Sequence, residues 1–297
     1  MSKGLGLGIG AFLLFGVIYY YSSLLKPLSG EDIFAWRMLL TVPFMTLFLL
    51  LAREWHHVLA TARRMLVQPT LILVLLLSSA LLGVQVWLFM WAPLHGRALD
   101  VSLGYFILPL SLALVGRLVY RERLSSLQRA AVACAALGVG HELWRAGGFS
   151  WPALVVFLGY PLYFMLRRRF RLEHLGGLWF DMVLLLPAAI WFAAHGTLNW
   201  TLLAAEPRFI WMVPLLGLLS AAALAAYIMA SRLLKFALFG LLGYIEPVLL
   251  MLVALLLGES IAASAWLTWG PVWLALMLLV AEGVLVLSTA QREMIAD

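Results

Sequence analysis

One carboxylate stands out because it lies in the middle of a long apolar run. Glu246 lies about halfway along residues 236–257, where a charged side chain costs roughly 2.5–3.5 kcal/mol on insertion scales. A charge at this depth is typical of a residue that binds an ammonium group or carries a coupled proton. The alternative is a permanently protonated glutamate that holds helices together. The residue therefore indicates a ligand or proton site inside a membrane, with the packing role left open.

A second carboxylate, Asp181, lies about 10 Å from the start of the apolar run 175–195 at 1.5 Å per residue. We interpret it in two ways. It either faces a substrate cavity or pairs with an arginine near the membrane surface, such as Arg171.

Arg37 lies just inside the apolar run 33–52. A guanidinium group at this position can bind a substrate carboxylate through two parallel hydrogen bonds. It can also extend to the membrane surface and pair with Glu31 or Asp32. Both interpretations stay open.

A set of amphipathic side chains lies inside or near the apolar runs. Together they could line a site that stacks on a flat or cationic substrate. Individually, each is also typical of packing or of an interfacial aromatic belt. The set consists of Gln85, Trp87, Tyr105, Tyr160, Tyr163, Trp179, Tyr227 and Tyr244.

These residues accompany a repeated motif. Residues 103–109 read LGYFILP, and residues 242–247 read LGYIEP. Pro109 and Pro247 each leave the carbonyl four residues earlier without its helical donor, which predicts a kink in each copy. In lipid the freed carbonyl needs another partner, so the kink serves substrate contact, helix packing or both.

The composition determines the class of protein. The chain has 65% hydrophobic and 11% charged residues and a mean hydropathy of +1.02, too few charges for a water-facing surface. Membrane lipids are therefore expected partners. Ten apolar runs have about the length that crosses a bilayer: 4–25, 33–52, 70–91, 99–118, 127–144, 151–167, 175–195, 209–230, 236–257 and 265–288.

The repeated motif falls on the fourth and ninth runs. The two copies are five runs apart, and five is an odd number of crossings, so the copies must run in opposite directions through the membrane. We therefore predict an all-α integral membrane protein with ten transmembrane helices in two inverted five-helix repeats, 1–146 and 150–290, and a short tail, 291–297. Inverted repeats are typical of secondary transporters that work by alternating access.

The basic residues predict the orientation. Fifteen of the 20 Lys and Arg residues lie in one set of loops, which predicts cytoplasmic termini in a bacterial-type inner membrane. The basic runs 117–123 and 167–171 are interpreted as anchors at anionic lipid headgroups, and nucleic acid is not an expected partner.

No cofactor or metal cluster is expected. The histidines lie at predicted helix ends without a metal-ligand spacing: His56, His57, His95, His174 and His195. Glu122 and Glu259, which follow the two motif copies, are expected to cap helices or to pair locally with Arg121 or Arg123.

The chain resembles a RarD-like member of the EamA family, within the drug/metabolite transporter superfamily, over nearly its whole length. The residues that carry the resemblance are 31–37, 87–92, 102–109, 121–123, Asp181 with 184–187, and 258–259. The resemblance implies a ten-helix exporter of amino acids, related metabolites or drugs, and some relatives export amino-acid-derived metallophores. Gln85, Leu108 and Glu246 depart from the usual pattern, so the substrate of relatives is not carried over.

The leading hypothesis is a secondary transporter, not an enzyme, that exports a small zwitterionic or carboxylated metabolite, with proton coupling as an option. Amino-acid-like compounds and metallophores both fit. The alternative is a multidrug or cation efflux transporter. A remote alternative, an intramembrane enzyme, needs convergent polar catalytic groups, and the sequence shows dispersed ones. The sequence does not indicate the oligomeric state.

Overall fold

The computed structural model describes residues 2–119, 121, 125–146, 150–233, 243, 245–261, 263, 266–275, 277–278 and 280–281. These residues form helices and connecting loops, without a strand among them. The helices are α1 Ser2–Leu24, α2 Gly30–Leu51, α3 His56–Val67, α4 Thr70–Trp91, α5 Ala98–Leu118, α6 Ser126–Ala146, α7 Trp151–Arg169, α8 Leu175–His195, α9 Trp200–Ala205, α10 Phe209–Leu233 and α11 Ile245–Leu256. Residues 266–275 are also helical.

Six helices of the described part are long and apolar enough to cross a membrane: Lys3–Leu24, Gly30–Leu51, Thr70–Leu94, Ala98–Leu118, Leu175–His195 and Phe209–Ala230. Each coincides with a predicted run to within a few residues. Helices α6, α7 and α11 also lie on predicted runs but are not among these six. The chain is a multi-pass helical membrane protein, and the ten-helix inverted repeat stays a prediction.

Two helices were not expected from the sequence. Helix α3 buries Val58 and Thr61 and leaves its other positions half-buried or exposed. Helix α9 has six residues and begins at an Asn199 cap, whose side-chain oxygen accepts from the amide of Leu202 at 2.9 Å. Both are too short or too polar to stand out in a hydropathy reading.

The long helices pack in a regular set of pairs. Helix α1 packs on α10 and α11, α2 on α8 and α10, α4 on α7 and α8, and α5 on α7 and α11. At the α5–α7 contact, Gly104 of the repeated motif lies against Ala153 and Val156, and a Cβ atom at Gly104 would meet the Ala153 carbonyl oxygen at 3.0 Å. The glycine is therefore explained by close helix approach.

A capping box starts α2. The Ser29 hydroxyl accepts from the Asp32 amide at 3.1 Å, and Asp32 accepts from the Ser29 amide at 3.2 Å. The same carboxylate accepts from the amide and the hydroxyl of Thr197, at 3.0 and 2.7 Å. The cap of α2 therefore also holds the loop after α8.

Glu259 caps a helix of the other half of the chain. Its two carboxylate oxygens accept from the amides of Ala98 and Leu99, at 2.7 and 2.8 Å, at the first turn of α5. A carboxylate is favourable there because the amides of a first turn lack helical partners. The predicted capping role is found, but the capped helix lies 160 residues away and not locally. Glu122 lies outside the described residues.

Prolines lie inside four described helices, at Pro43, Pro161, Pro187 and Pro214. Pro247 is buried in the first turn of α11, a position that tolerates proline because the first amides lack helical acceptors. The side chain of Pro109 lies outside the described part of α5. The predicted kinks at Pro109 and Pro247 therefore stay predictions.

Candidate functional site

Five helices place polar side chains together near the centre of the bundle. We call this group the central cluster: Arg37 of α2, Tyr105 of α5, Tyr160 of α7, Ser220 and Tyr227 of α10, and Glu246 of α11. Its members come from both halves of the chain, and apolar residues of the largest core cluster surround them.

Arg37 is held by one bond and leaves the rest of its guanidinium group open. It is 4% exposed, and its Nε donates to the Ser220 hydroxyl at 2.8 Å. The guanidinium carbon lies 5.7 Å from the Phe89 ring centroid. The described residues offer no hydrogen-bond acceptor to the two terminal nitrogens. A planar carboxylate can therefore still bind there with both oxygens.

The alternative in which Arg37 extends to the surface and pairs with Glu31 or Asp32 is not found, because both carboxylates have other partners. Glu31 accepts from the Trp87 indole nitrogen at 3.0 Å. Asp32 belongs to the α2 cap and to the bond with Thr197. Arg37 is buried and does not extend to the surface.

Glu246 faces the same cluster. It is half-buried in the first turn of α11, and its amide donates to the Gly243 carbonyl at 3.3 Å. Its carboxyl group lies within electrostatic range of Arg37, Tyr160 and Tyr227, and it makes no direct hydrogen bond to Arg37. Arg37 and Glu246 are thus opposite charges within electrostatic range that do not close an ion pair.

Tyrosine hydroxyls lie beside the two charges. The hydroxyl oxygens of Tyr105 and Tyr160 are 2.8 Å apart, and their ring centroids are 5.6 Å apart. The Tyr227 ring lies edge-on to Phe12 and Phe15, with centroid distances of 5.8 and 6.0 Å. The cluster therefore combines one cation, one carboxylate and several hydroxyl-bearing aromatic rings.

Gln85 lies at the contact between α4 and α7. Its side-chain nitrogen donates to the Val155 carbonyl at 2.7 Å. The amide is 2% exposed, and its oxygen has no hydrogen-bond partner among the described residues. This oxygen is an acceptor that a bound molecule could use.

Asp181 belongs to a different group, which we call the α7–α8 ion pair: Arg167, Asp181 and Tyr163. The pair is closed in the sense that its two charges contact each other directly, although the other oxygen of Asp181 has no hydrogen-bond partner among the described residues. One oxygen of Asp181 accepts from Arg167 and, at 3.0 Å, from the Tyr163 hydroxyl. Arg167 also donates to the carbonyl oxygens of Leu172 and, at 3.2 Å, His174. The expected pairing with an arginine is found, although the partner is Arg167 and not Arg171.

The end of α7 explains why Asp181 pairs with Arg167 and not with Arg171. Arg171 follows the helix in a left-handed conformation with φ 54° and is exposed, whereas Arg167 is 5% exposed on the face toward α8. The run 167–171 is therefore not a uniform set of headgroup anchors. Its first arginine is a buried structural cation.

The remaining predicted residues lie apart from the central cluster. The Trp87 ring packs near Trp91 and Trp151, and Trp179 donates from its indole nitrogen to the Thr46 hydroxyl at 2.8 Å. Tyr244 lies outside the described residues. The roles of all these residues in transport stay predictions.

The structure adds residues that the sequence did not single out. Ser220 stands in an apolar stretch, and only the packing of α10 on α2 reveals it as the support of Arg37. Ser102 donates to the Pro247 carbonyl at 3.1 Å and so connects the two motif copies. Arg167 lies four residues after Tyr163 and therefore on the same helix face. This spacing is the one feature of the sequence that relates the two residues.

The histidines are not all isolated. Side-chain ligand atoms of Glu54, His56 and His57 lie within 4.8 Å of one another. This grouping differs from the expectation of dispersed histidines, because a tight turn between α2 and α3 folds the three side chains together.

Comparison with known proteins gives relatives of the same length. A chloramphenicol-sensitive protein RarD of Pseudomonas aeruginosa is 43% identical over 283 residues, with 93% of each chain covered. An uncharacterized transporter of Pasteurella multocida is 41% identical over 284 residues, covering 96% of this chain and 97% of the relative. A protein RarD of Salmonella typhi is 29% identical over 287 residues.

No family model matches the chain. A solved crystal structure is similar in fold, with a TM-score of 0.59, 17% identity and coverage of 95% of this chain and 98% of the other. The apolar helices, the charged cluster inside the bundle and the relatives that are named as transporters all indicate a membrane transporter. The chain belongs to the RarD-like family of drug/metabolite transporters.

Proposed function

We propose that the protein is a secondary exporter of a small zwitterionic or carboxylated metabolite that binds at the central cluster. The observation that carries this proposal is the unclosed pair of Arg37 and Glu246. A buried arginine and a half-buried carboxylate that leave hydrogen-bonding groups unused are costly without a ligand. A molecule with a carboxylate and an ammonium group would satisfy both.

The assignment of substrate groups follows from donor and acceptor chemistry. The substrate carboxylate binds the terminal nitrogens of Arg37, because a guanidinium group donates only. The substrate ammonium binds Glu246, and tyrosine hydroxyls such as Tyr160 complete the site. Amino-acid-like compounds fit this arrangement, and larger amino-acid-derived chelators carry the same two groups.

The packing of the helices supports an inverted repeat. Suppose that the two halves are exchanged, so that α1, α2, α4 and α5 take the places of α7, α8, α10 and α11, and the reverse. The pair α1–α10 then becomes α7–α4. The pair α5–α7 becomes α11–α1, and α2–α10 becomes α8–α4, while α2–α8 and α5–α11 map onto themselves. All these contacts are present, whereas the smaller contact α2–α4 has no counterpart of similar extent between α8 and α10 in the described residues. The exchange supports two alternative conformations of similar free energy and therefore alternating access.

Proton coupling through Glu246 is the second role that we propose for this carboxylate. An intramembrane carboxylate that exchanges between a substrate ammonium and a proton couples export to the proton gradient. The orientation, with both termini in the cytoplasm of a bacterial-type inner membrane, rests on the fifteen-to-five distribution of basic residues.

Comparative metabolomics tests the proposed export. Cells with and without the protein are compared for metabolites inside and in the medium, and candidates are then tested for counterflow in proteoliposomes. We expect a zwitterion that accumulates inside the deletion strain and is missing from its medium. A new chemical product instead of a relocated metabolite would contradict the proposal and support an enzyme.

The second candidate function is efflux of drugs or apolar cations. It is favoured by the aromatic side chains of Phe89, Tyr105 and Tyr160 beside a carboxylate, which suit a flat cation. One relative is named for chloramphenicol sensitivity. Growth of cells with and without the protein on chloramphenicol and on cationic dyes tests it. A protein-dependent change in tolerance that requires Glu246 but not Arg37 would favour this candidate over the zwitterion exporter.

A further inference from the structure

We infer that the turn between α2 and α3 is a binding site for a divalent transition-metal ion, formed by Glu54, His56 and His57. The ligand atoms of the three side chains lie within 4.8 Å of one another, and the Nε2 of His57 lies 3.0 Å from an oxygen of Glu54. Imidazole with a carboxylate suits Zn²⁺ and related ions. This site lies at the other end of α2 from the Glu31 and Asp32 end and is independent of the central cluster.

The backbone holds the three residues in position. Arg53 adopts a left-handed conformation with φ 57°, and the amide of Glu54 donates to the Leu49 carbonyl at 2.9 Å. The His57 amide then donates to the Glu54 carbonyl at 3.1 Å, which closes the turn. The backbone of His57 packs against Gly176 of α8, where a Cβ atom would clash. The turn is therefore preorganised by its own hydrogen bonds and by α8.

The tautomer of His56 suits metal binding. Its Nδ1 lies 3.1 Å from the carbonyl oxygen of Arg53, and a carbonyl can only accept, so Nδ1 carries the proton. The neutral ring therefore keeps its lone pair on Nε2, the arrangement that outer-sphere carbonyl partners impose on metal-binding histidines. Glu54 supplies one negative charge, which offsets the positive N-terminal end of α3.

Two histidines elsewhere provide matched controls. His95 and His195 also place Nδ1 against a carbonyl oxygen, that of Trp91 and Trp191, both at 2.9 Å. Each ring also packs on its tryptophan ring, with centroid distances of 4.1 and 4.0 Å. They share the tautomer of His56 but belong to no group of three potential metal ligands among the described residues.

The test is Zn²⁺ titration by calorimetry of the full-length protein in detergent, after removal of any affinity tag. We expect saturable binding of one ion per chain. Glu54→Gln, His56→Gln and His57→Gln should each weaken it by more than the roughly 10–100-fold that loss of an outer-sphere partner costs. His95→Gln and His195→Gln should leave it unchanged. His56 is exposed, so its variant tests the site without disturbing the core.

Replacement of Zn²⁺ by Co²⁺ gives a second readout, because its visible absorption reports ligands of nitrogen and oxygen type in a tetrahedral site. Absence of saturable Zn²⁺ binding would leave only an ion pair between Glu54 and His57 and overturn the inference. Equal losses in the variants of His56 and His95 would also overturn it.

Discussion

The central cluster and the α7–α8 ion pair each place an arginine and a carboxylate between packed helices, but they satisfy these charges differently. Arg167 and Asp181 contact each other directly, with Tyr163 and backbone carbonyls as further partners. Arg37 and Glu246 interact at a distance, and Arg37 has a single hydrogen bond to the described residues, with Ser220 as acceptor. A closed pair stabilises the contact between two helices, whereas an open pair is a place where another molecule can supply the missing partners.

The largest expected effect comes from breaking the closed pair. Arg167→Met or Asp181→Leu alone leaves an uncompensated buried charge, so the free energy of unfolding should fall by about 3–5 kcal/mol. The double variant, with two apolar side chains, should recover most of this loss. Denaturant unfolding in mixed micelles, followed by the fluorescence of the 13 tryptophans, measures it.

Arg37→Met is the matched control for Arg167→Met. It should destabilise the fold much less, because within the described part of the chain Arg37 has one hydrogen bond to lose. Equal destabilisation by the two variants would remove the distinction between an open and a closed pair.

The second effect concerns flux through the open pair. Arg37→Met should lower transport of a carboxylated substrate about 10–150-fold, the range for loss of a charge-assisted hydrogen bond of roughly 1.5–3 kcal/mol. Arg37→Lys keeps the charge but loses the bidentate geometry, so it should recover only part of the activity. Counterflow in proteoliposomes measures both. Wild-type flux in Arg37→Met would exclude Arg37 from the site.

The third effect separates the two proposed roles of Glu246. Glu246→Gln should abolish transport of zwitterions if the carboxylate binds ammonium, and it should leave counterflow intact but remove pH-driven export if the carboxylate carries the proton. Glu206→Gln is the control, because Glu206 is an exposed carboxylate paired with Arg208. Full, pH-dependent export by Glu246→Gln would contradict both roles.

The smallest effect compares two tyrosines on one helix. Tyr160→Phe removes a hydroxyl of the central cluster and should change substrate affinity by about 0.5–1.5 kcal/mol with little change in stability. Tyr163→Phe removes a bond to Asp181 and should lower stability by a similar amount with little change in affinity. If Tyr163→Phe lowered affinity and Tyr160→Phe lowered stability, Tyr163 would belong to the substrate site and Tyr160 to the structural pair, which contradicts the roles proposed for them.

The part of the fold that hydropathy determines could be predicted from the sequence. The six membrane-crossing helices were predicted to within a few residues, because an uninterrupted apolar run of this length has few alternatives in lipid. Helix α3 was missed because its 12 residues are too few to cross a membrane and polar residues interrupt the apolar ones.

The charges were harder to place. Arg37, Asp181 and Glu246 were recognised because they interrupt apolar runs. Arg167 was not, since it opens a row of four basic residues within 167–171 and the row does not reveal which one faces inward. Ser220 gave no signal at all, because its contact depends on how α10 packs against α2.

The Glu259 cap has a consequence for the order of assembly. The first amides of α5 find their acceptors on a residue made some 160 positions later. During synthesis the first amides of α5 therefore lack these acceptors until Glu259 has been made. The first half of the protein is therefore completed by the second, and a chain cut after the first half would lack the acceptors of the α5 cap.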